Sequence, residues 1–297
     1  RPICVEEILR ILHPKPVEFA LDASMGFGGH TGVLLEQVGP TGRVIAIAHD
    51  PIEGPKTEAR IQAQFGVGPE TFIYGQINFS GRRGFLQKVG TPTVDMIVAD
   101  LGLSSMQLDS PSRGFSYKVD GPLDLRMNPE IGEPAWALLR KMSEIKLSEI
   151  IRTYADEPRA AVIARSLVKY KPRTTVELAN VVRDVISGFS PRVQALEGDR
   201  PIRRIFQALR IFVNGELASL DQFLMELPAM LRPGGRVAIL SFHSGEDRRV
   251  KKAFQTGFRQ GIYQEIAPTP IRPSFQEQRS NSRSTSAKLR WARKANS

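Results

Sequence analysis

The residues best able to do chemistry fall in four short blocks. The first, Asp22-Ala-Ser-Met-Gly26-Phe-Gly28-Gly29-His30, sets a carboxylate before a Gly-x-Gly-Gly run, where a backbone can approach a bound molecule and helix amides can face it. A dinucleotide fingerprint needs three glycines spaced Gly-x-Gly-x-x-Gly. The tighter run here, with its acid four residues upstream, suits S-adenosylmethionine better than a pyrophosphate. Glycines at such a turn can also serve close packing alone. The second block runs Asp100-Leu-Gly-Leu-Ser-Ser-Met-Gln107; Asp100 can accept a hydrogen bond from an amine or face a sulfonium, or it can cap a helix.

The third block contains Arg113-Gly-Phe115-Ser and Asp120-Gly-Pro-Leu-Asp124-Leu-Arg126-Met127. Two carboxylates and an arginine on one constrained loop are costly to bury alone, so they pair with each other or hold a polar substrate. The fourth is Ser241-Phe242-His243-Ser244, followed by Glu246, Asp247, Arg248, Arg249, Lys251 and Lys252. His243 can bind a base edge or help remove a proton, and Phe242 can stack on a base. The alternative is a histidine satisfied at a strand end. A Gly-x-Ser-x-Gly elbow and an Asp at triad spacing are both missing, which argues against a nucleophilic serine.

These blocks must be positioned by elements. Short apolar runs alternating with helical patterns predict an α/β domain with a mostly parallel sheet. Strands are expected at 19–22, 43–48, 71–74, 94–99 and 236–242, with a helix at 31–38, and residues 231–235 read as a helix stop and turn. Asp22, Asp100 and Ser241-Phe242-His243 then sit at strand ends, where doubly wound sheets bind ligands. Between the fourth and fifth strands the chain is helical, and one helix is expected over 205–227. Residues 112–205 are taken as a helical insertion between two parts of a sheet domain, 1–111 and 206–297. Residues 262–266 and 286–292 predict a closing antiparallel hairpin.

Composition limits the classes available. With 41% hydrophobic and 24% charged residues, the 297-residue chain is neither disordered nor collagen-like. A single Cys4 allows no internal disulfide, and His13, His30, His49 and His243 show no metal-ligand spacing, so no metal is expected. No leader or membrane segment is read, which makes the cytoplasm the expected compartment. The net charge of +10 lies in residues 232–297, which hold 14 Lys and Arg against 4 Asp and Glu. Such a segment is either a solvated basic tail or a footprint for a polyanion, nucleic acid being the commonest.

Taken together, Asp22 to His30, Asp100 to Gln107, Arg113-Gly-Phe-Ser, Asp120 to Met127, Phe206-Gln-Ala-Leu-Arg-Ile, Ser241 to Ser244 and Ser286-Ala-Lys-Leu-Arg290 resemble the RsmH (MraW) family in collinear order. The resemblance implies a doubly wound, Rossmann-like class I methyltransferase sheet with a helical insertion domain. It implies S-adenosylmethionine-dependent methylation of the exocyclic N4 amine of a cytidine in the decoding region of small-subunit ribosomal RNA. The substrate is then that RNA or the assembled small subunit, in the bacterial cytoplasm or in an organelle. Whether the protein forms a homodimer stays open.

By the same resemblance the cofactor pocket falls on Gly28, Gly29, His30, Asp50, Phe79, Asp100 and Gln107. Asp100 is the first choice for proton acceptor, then His243 and Ser241. Substrate contacts are expected from Arg113, Phe115, Asp124, Arg126, Phe242, Arg248, Arg249, Lys252, Lys288 and Arg290. The chain departs from the family pattern at Ala48, where an Ile-Asp-x-Asp-Pro run would place the Asp that holds the cofactor ribose; at Gly245 for Leu; at Ser282 for Pro; and in its N-terminal block, Arg1-Pro-Ile-Cys4. Ala48 motivates an alternative, an RNA-binding ribosome-assembly factor with weakened catalysis. A nicotinamide oxidoreductase lacks its third glycine here, and a DNA amino-methyltransferase lacks the Pro-Pro that should follow Asp100.

Overall fold

The computed structural model describes residues 2–77 and 81–296. They divide into two compact units, residues 1–102 with 217–297, and residues 103–216. The first unit opens with α1 (Val5–Leu12), β1 (Phe19–Asp22), α2 (Gly29–Val38), β2 (Arg43–Ala48), α3 (Glu53–Phe65), β3 (Phe72–Gln76), α4 (Arg82–Lys88) and β4 (Val94–Asp100). The second unit carries α5 (Ser105–Asp109), α6 (Ala135–Lys141), α7 (Glu144–Ala155), α8 (Ala160–Tyr170), α9 (Thr175–Ser187), α10 (Pro191–Glu197) and α11 (Arg200–Asn214). From α12 (Glu216–Met230) the chain resumes the first unit with β5 (Leu231–Ser241), α13 (Ser244–Arg259), β6 (Tyr263–Ile266), α14 (Phe275–Ser280) and β7 (Lys288–Lys294).

The sheet order is β3-β2-β1-β4-β5-β7-β6, with β1 to β5 parallel and β7 antiparallel to both neighbours. Near-continuous apolar runs such as Val44-Ile-Ala-Ile47 fit strands buried on both faces. Alternation sends Leu21, Ile45, Ile47, Ile97 and Ile239 to one face, against Leu86 of α4, Phe223 and Leu227 of α12, and Val250 and Phe254 of α13. Ala20, Val44, Ala46, Met96 and Leu240 face the other way, onto α1, α2 and α3. The strand order reverses between β1 and β4, so Asp22 and Asp100 end adjacent strands at the switch point, where ligands bind in doubly wound sheets.

Three expectations shift in detail. The helix expected over 205–227 is two, because Gly215 adopts a left-handed conformation (φ 59°) that ends α11 before α12 begins. The expected turn at 231–235 belongs to β5: Leu231 pairs with Val94 and Arg236 with Met96, so the Arg-Pro-Gly-Gly residues bulge out of the ladder. The helical unit begins at Leu103 and ends at Glu216, wider than 112–205. Ile202, Ile205, Phe206 and Leu209 of α11 bury their side chains with those of α7, α8 and α9, which ties α11 to that unit. No described helix is long and apolar enough to cross a membrane.

Candidate active site

At the switch point, a chain of hydrogen bonds runs from one strand end to the other. Buried Asp22 accepts from the Thr31 hydroxyl at 2.7 Å and from the Ser24 amide at 3.0 Å. The Ser24 hydroxyl in turn accepts from the Asp100 amide at 2.5 Å. Arg82, buried at the start of α4, clamps the turn from behind by donating to the Ala23 carbonyl, with its guanidinium 5.2 Å from the Phe223 ring centre. The two strand-end acids therefore have different work. Asp22 is consumed in shaping the loop, whereas the Asp100 side chain is 29% exposed and can reach a ligand.

Burial pushes the Asp100 carboxyl up to about 6; the nearby His30 opposes the rise, and Asp22 and Glu246 add to it. His30, buried in the first turn of α2, hydrogen-bonds through Nε2 to the Ile3 carbonyl at 3.0 Å. A carbonyl only accepts, so Nε2 carries the hydrogen, and Nδ1 lies 3.7 Å from Asp100 Oδ2. The glycine loop has Gly26 at φ 48° and Gly28 at φ 77°. A Cβ on Gly28 would come within 3.0 Å of Ile61 and Thr57, and one on Gly29 within 2.9 Å of Pro2, so the backbone is hemmed in on that side. The start of α2 presents amides of the kind that take a carboxylate.

The end of β2 is different. Ala48 offers no acceptor, and Asp50 Oδ1 accepts from the Ile52 and Glu53 amides at 2.9 and 3.2 Å, capping the turn that leads into α3. Beside Ala48, the Tyr74 hydroxyl is buried without a hydrogen-bond partner among the described residues; both pack against Gly54. Burial, followed by the charge of Arg82, lowers the His49 pKa, so His49 is a neutral group at the same strand end. Phe79 lies outside the described residues.

At the end of β5, Ser241 is buried and its hydroxyl donates to the Lys288 carbonyl at 3.3 Å, toward β7. His243 Nε2 lies 3.3 Å from Glu246 Oε1, and Nδ1 is buried with no hydrogen-bond partner among the described residues. Glu246 Oε2 also accepts from the Phe242 amide at 2.8 Å. Gly245 lies beneath the imidazole: a Cβ there would be 3.1 Å from His243 Nδ1. Phe242 is half-buried. Arg290, 6% exposed, and Lys288 both bind Asp247, at 2.7 and 3.0 Å. Their charges are thus committed inside the fold. Arg248 and Lys252 are exposed on α13, and Arg249 is bound to Asp221 at 3.0 Å.

Within the second unit, the polar block folds on itself. Asp124 holds Arg126 in a two-pronged pair at 2.7 and 2.8 Å, and buried Arg113 donates to the Arg126 and Met127 carbonyls at 3.1 and 2.8 Å. Asp120 caps α9 through the Val176 amide at 3.1 Å. Phe115 is buried, and the Gln107 side chain closes a capping box with Ser104 at the start of α5. Sequence reasoning missed Ile3, Ser24, Arg82, Tyr74 and Glu246 as parts of the site. Ser24 and Glu246 lay inside quoted blocks, but no motif signals the contacts of Arg82 or Ile3, which form only across the fold.

This strand order, with a glycine loop after β1 and an acid ending β4, defines a Rossmann-like, S-adenosylmethionine-dependent methyltransferase. A profile of the MraW methylase family matches residues 1–295, and the chain belongs to that family. A relative from Alkaliphilus metalliredigens, named ribosomal RNA small subunit methyltransferase H 2, is 46% identical over 99% of this chain and 85% of its own length. One from Lachnoclostridium phytofermentans, ribosomal RNA small subunit methyltransferase H 1, is 44% identical over 99% and 81%. One from Acidobacterium capsulatum, ribosomal RNA small subunit methyltransferase H, is 36% identical over 99% and 97%.

Proposed function

We propose that this protein methylates the exocyclic N4 amine of a cytidine in the decoding region of small-subunit ribosomal RNA, in the bacterial cytoplasm. The observation that carries the reading is the recessed Asp100 carboxylate at the switch point, one strand from the glycine loop and 3.7 Å from His30; the names of the relatives support the RNA substrate. The residues present fit S-adenosylmethionine at its amino-acid end, where the start of α2 offers amides to a carboxylate and Asp100 an anion to an ammonium or sulfonium. Gly28, Gly29, His30 and Asp100 are the residues that would hold it. At the ribose end Ala48 gives no acceptor, and His49 and Asp50 are the polar residues that follow it.

When bound, the cofactor supplies an electrophilic methyl group. A cytosine amine is a poor nucleophile because its lone pair is shared with the ring, so the protein must align it and receive an N–H. Asp100 accepts that hydrogen bond and takes the proton as the N–C bond forms, with His30 Nδ1 3.7 Å from its Oδ2. His243, paired with Glu246 at the end of β5, is the second polar group at this edge of the sheet, and Phe242 the face on which the base stacks. Arg113, Asp124 and Arg126 act by fixing the shape of their loop, and Ser241, Lys288 and Arg290 by fixing the sheet edge.

The test is transfer of labelled methyl from S-adenosylmethionine to small subunits taken from cells lacking this activity, with the modified base located by nuclease mapping. Label on one decoding-region cytidine is expected. Ala48 favours a second reading, an assembly factor of the same fold with weakened catalysis, and RNA binding without any label would establish that one instead.

A further inference from the structure

Phe27 stands between two glycines of positive φ, Gly26 at 48° and Gly28 at 77°, so the peptides on either side of it can turn over at little steric cost. Its ring is 55% exposed, and the core does not hold it. What holds this stretch comes from α3, where Thr57, Arg60 and Ile61 share one face at helical spacing. The buried Thr57 hydroxyl donates to the Gly26 carbonyl at 3.0 Å, Arg60 donates to the Phe27 carbonyl, and Ile61 walls off Gly28. The Arg60 guanidinium also lies 3.6 Å from the centre of the Phe27 ring and donates to the Thr57 hydroxyl at 3.4 Å.

Two successive carbonyls of the loop are thereby turned toward α3. A trans peptide carries its N–H opposite its C=O, so the Phe27 and Gly28 amides point the other way. Gly28 gives its amide to the Met25 carbonyl at 2.6 Å, which closes the turn. The Phe27 amide is aimed away from α3. Because β1 lies between β2, which leads into α3, and β4, that direction is the β4 side of the loop, where Asp100 ends its strand.

We propose that Arg60 and Thr57 of α3 are positioning residues for the cofactor: they fix the Gly26 to Gly28 peptides so that the loop, with the start of α2, presents its amides to the amino-acid carboxylate of S-adenosylmethionine. The proposal takes from the reading above only the placement of that amino-acid end, and nothing in it depends on which RNA is methylated. S-adenosylhomocysteine and 5′-methylthioadenosine, which has the same nucleoside but no amino-acid arm, are titrated by calorimetry into wild type, Arg60→Ala and Thr57→Val. Each variant should lose about tenfold or more in affinity for S-adenosylhomocysteine, the order of one hydrogen bond to a charged group, and nothing for methylthioadenosine. In methyl transfer, KM for S-adenosylmethionine should rise with kcat little changed, because a contact to the unreacting arm is the same before and during the reaction. Binding of methylthioadenosine shows in addition that each variant is folded.

Equal losses for the two ligands would mean that α3 supports the whole pocket and would overturn the proposal, as would no loss for either. Thr57→Val removes no charge, so a loss in Arg60→Ala without one in Thr57→Val would reduce the effect to attraction between guanidinium and carboxylate and overturn it too. A wild-type protein that binds both ligands equally well would sink the placement of the amino-acid end itself, and the proposal with it.

Discussion

Asp100→Asn separates chemistry from binding. The amide has the same shape, and the hydrogen bond from the Asp100 backbone amide to Ser24 is untouched, so the loop should hold. What disappears is the anion beside His30 and the oxygen able to keep a proton. Loss of a positioned proton acceptor should slow methyl transfer by roughly 10²–10⁴-fold at saturating cofactor and RNA. RNA affinity, which depends on phosphate contacts elsewhere, should stay near the wild-type value. The acid limb gives an independent signature. Burial holds the Asp100 carboxyl at about 6, above the usual carboxylate range, so the reactive carboxylate form predominates at pH 7 and is lost as pH falls through 6. The wild-type single-turnover rate should drop about tenfold from pH 7 to pH 5, and the limb should vanish in the Asn variant. A variant that transfers methyl at the wild-type rate, or loses RNA affinity by the same factor as rate, refutes this role for Asp100.

Further predictions concern the pocket walls. Ala48→Asp restores an acceptor for the cofactor ribose; one charge-assisted hydrogen bond is worth about 1.5–3 kcal/mol, so binding should tighten by about tenfold or more in calorimetry, and unchanged or weaker binding refutes the account. Gly28→Ala places a side chain at φ 77° within 3.0 Å of Ile61 and Thr57; it should cost about 1–2 kcal/mol in urea unfolding from the left-handed backbone alone, and a neutral effect would show that the loop relaxes. Asp247→Asn leaves buried Arg290 without its counter-charge and should cost about 3–5 kcal/mol at pH 7. Burial works against the Asp247 carboxylate, but Arg290 and Lys288 hold its pKa below the ordinary value. The stabilisation is therefore present above the unfolded Asp pKa and lost as pH falls through the lower folded value, so the gap between variant and wild type should close in acid. A urea midpoint equal to wild type at pH 7 would show the pair to be idle.

The sheet was legible because its signal is local. Apolar runs of four to seven residues leading into polar loops marked β1, β2 and β4 at or within one residue of their observed bounds. Where a local signal was read through one strong residue type, it misled. Pro233 and two glycines read as a turn, yet pairing with β4 on both sides carries β5 through them as a bulge. The roles of site residues were less legible, since a motif names residue types without their partners. Asp22 and Asp100 look alike in sequence. Only the fold shows that the first is consumed by Thr31 and Ser24 while the second keeps an exposed face.

Charge shows the same limit more sharply. The 14 cations of residues 232–297 left a solvated basic tail and a polyanion footprint both open, because a sum over sequence counts inward and outward charges alike. Arg232 is bound to Asp95, Arg236 to Glu18, Arg249 to Asp221, and Lys288 and Arg290 to Asp247, while Lys294 donates to the Pro228 and Leu231 carbonyls. Those six hold the sheet edge and the last helices together and have little left for a polyanion. A phosphate backbone must be met by what remains, and among the described residues α13 carries the exposed Lys251, Lys252 and Arg259. Because a surface pair contributes little to folding, removing those cations should cost affinity without stability. Removing Arg290 should do the reverse, and that opposition distinguishes the two classes of basic residue in one pair of measurements.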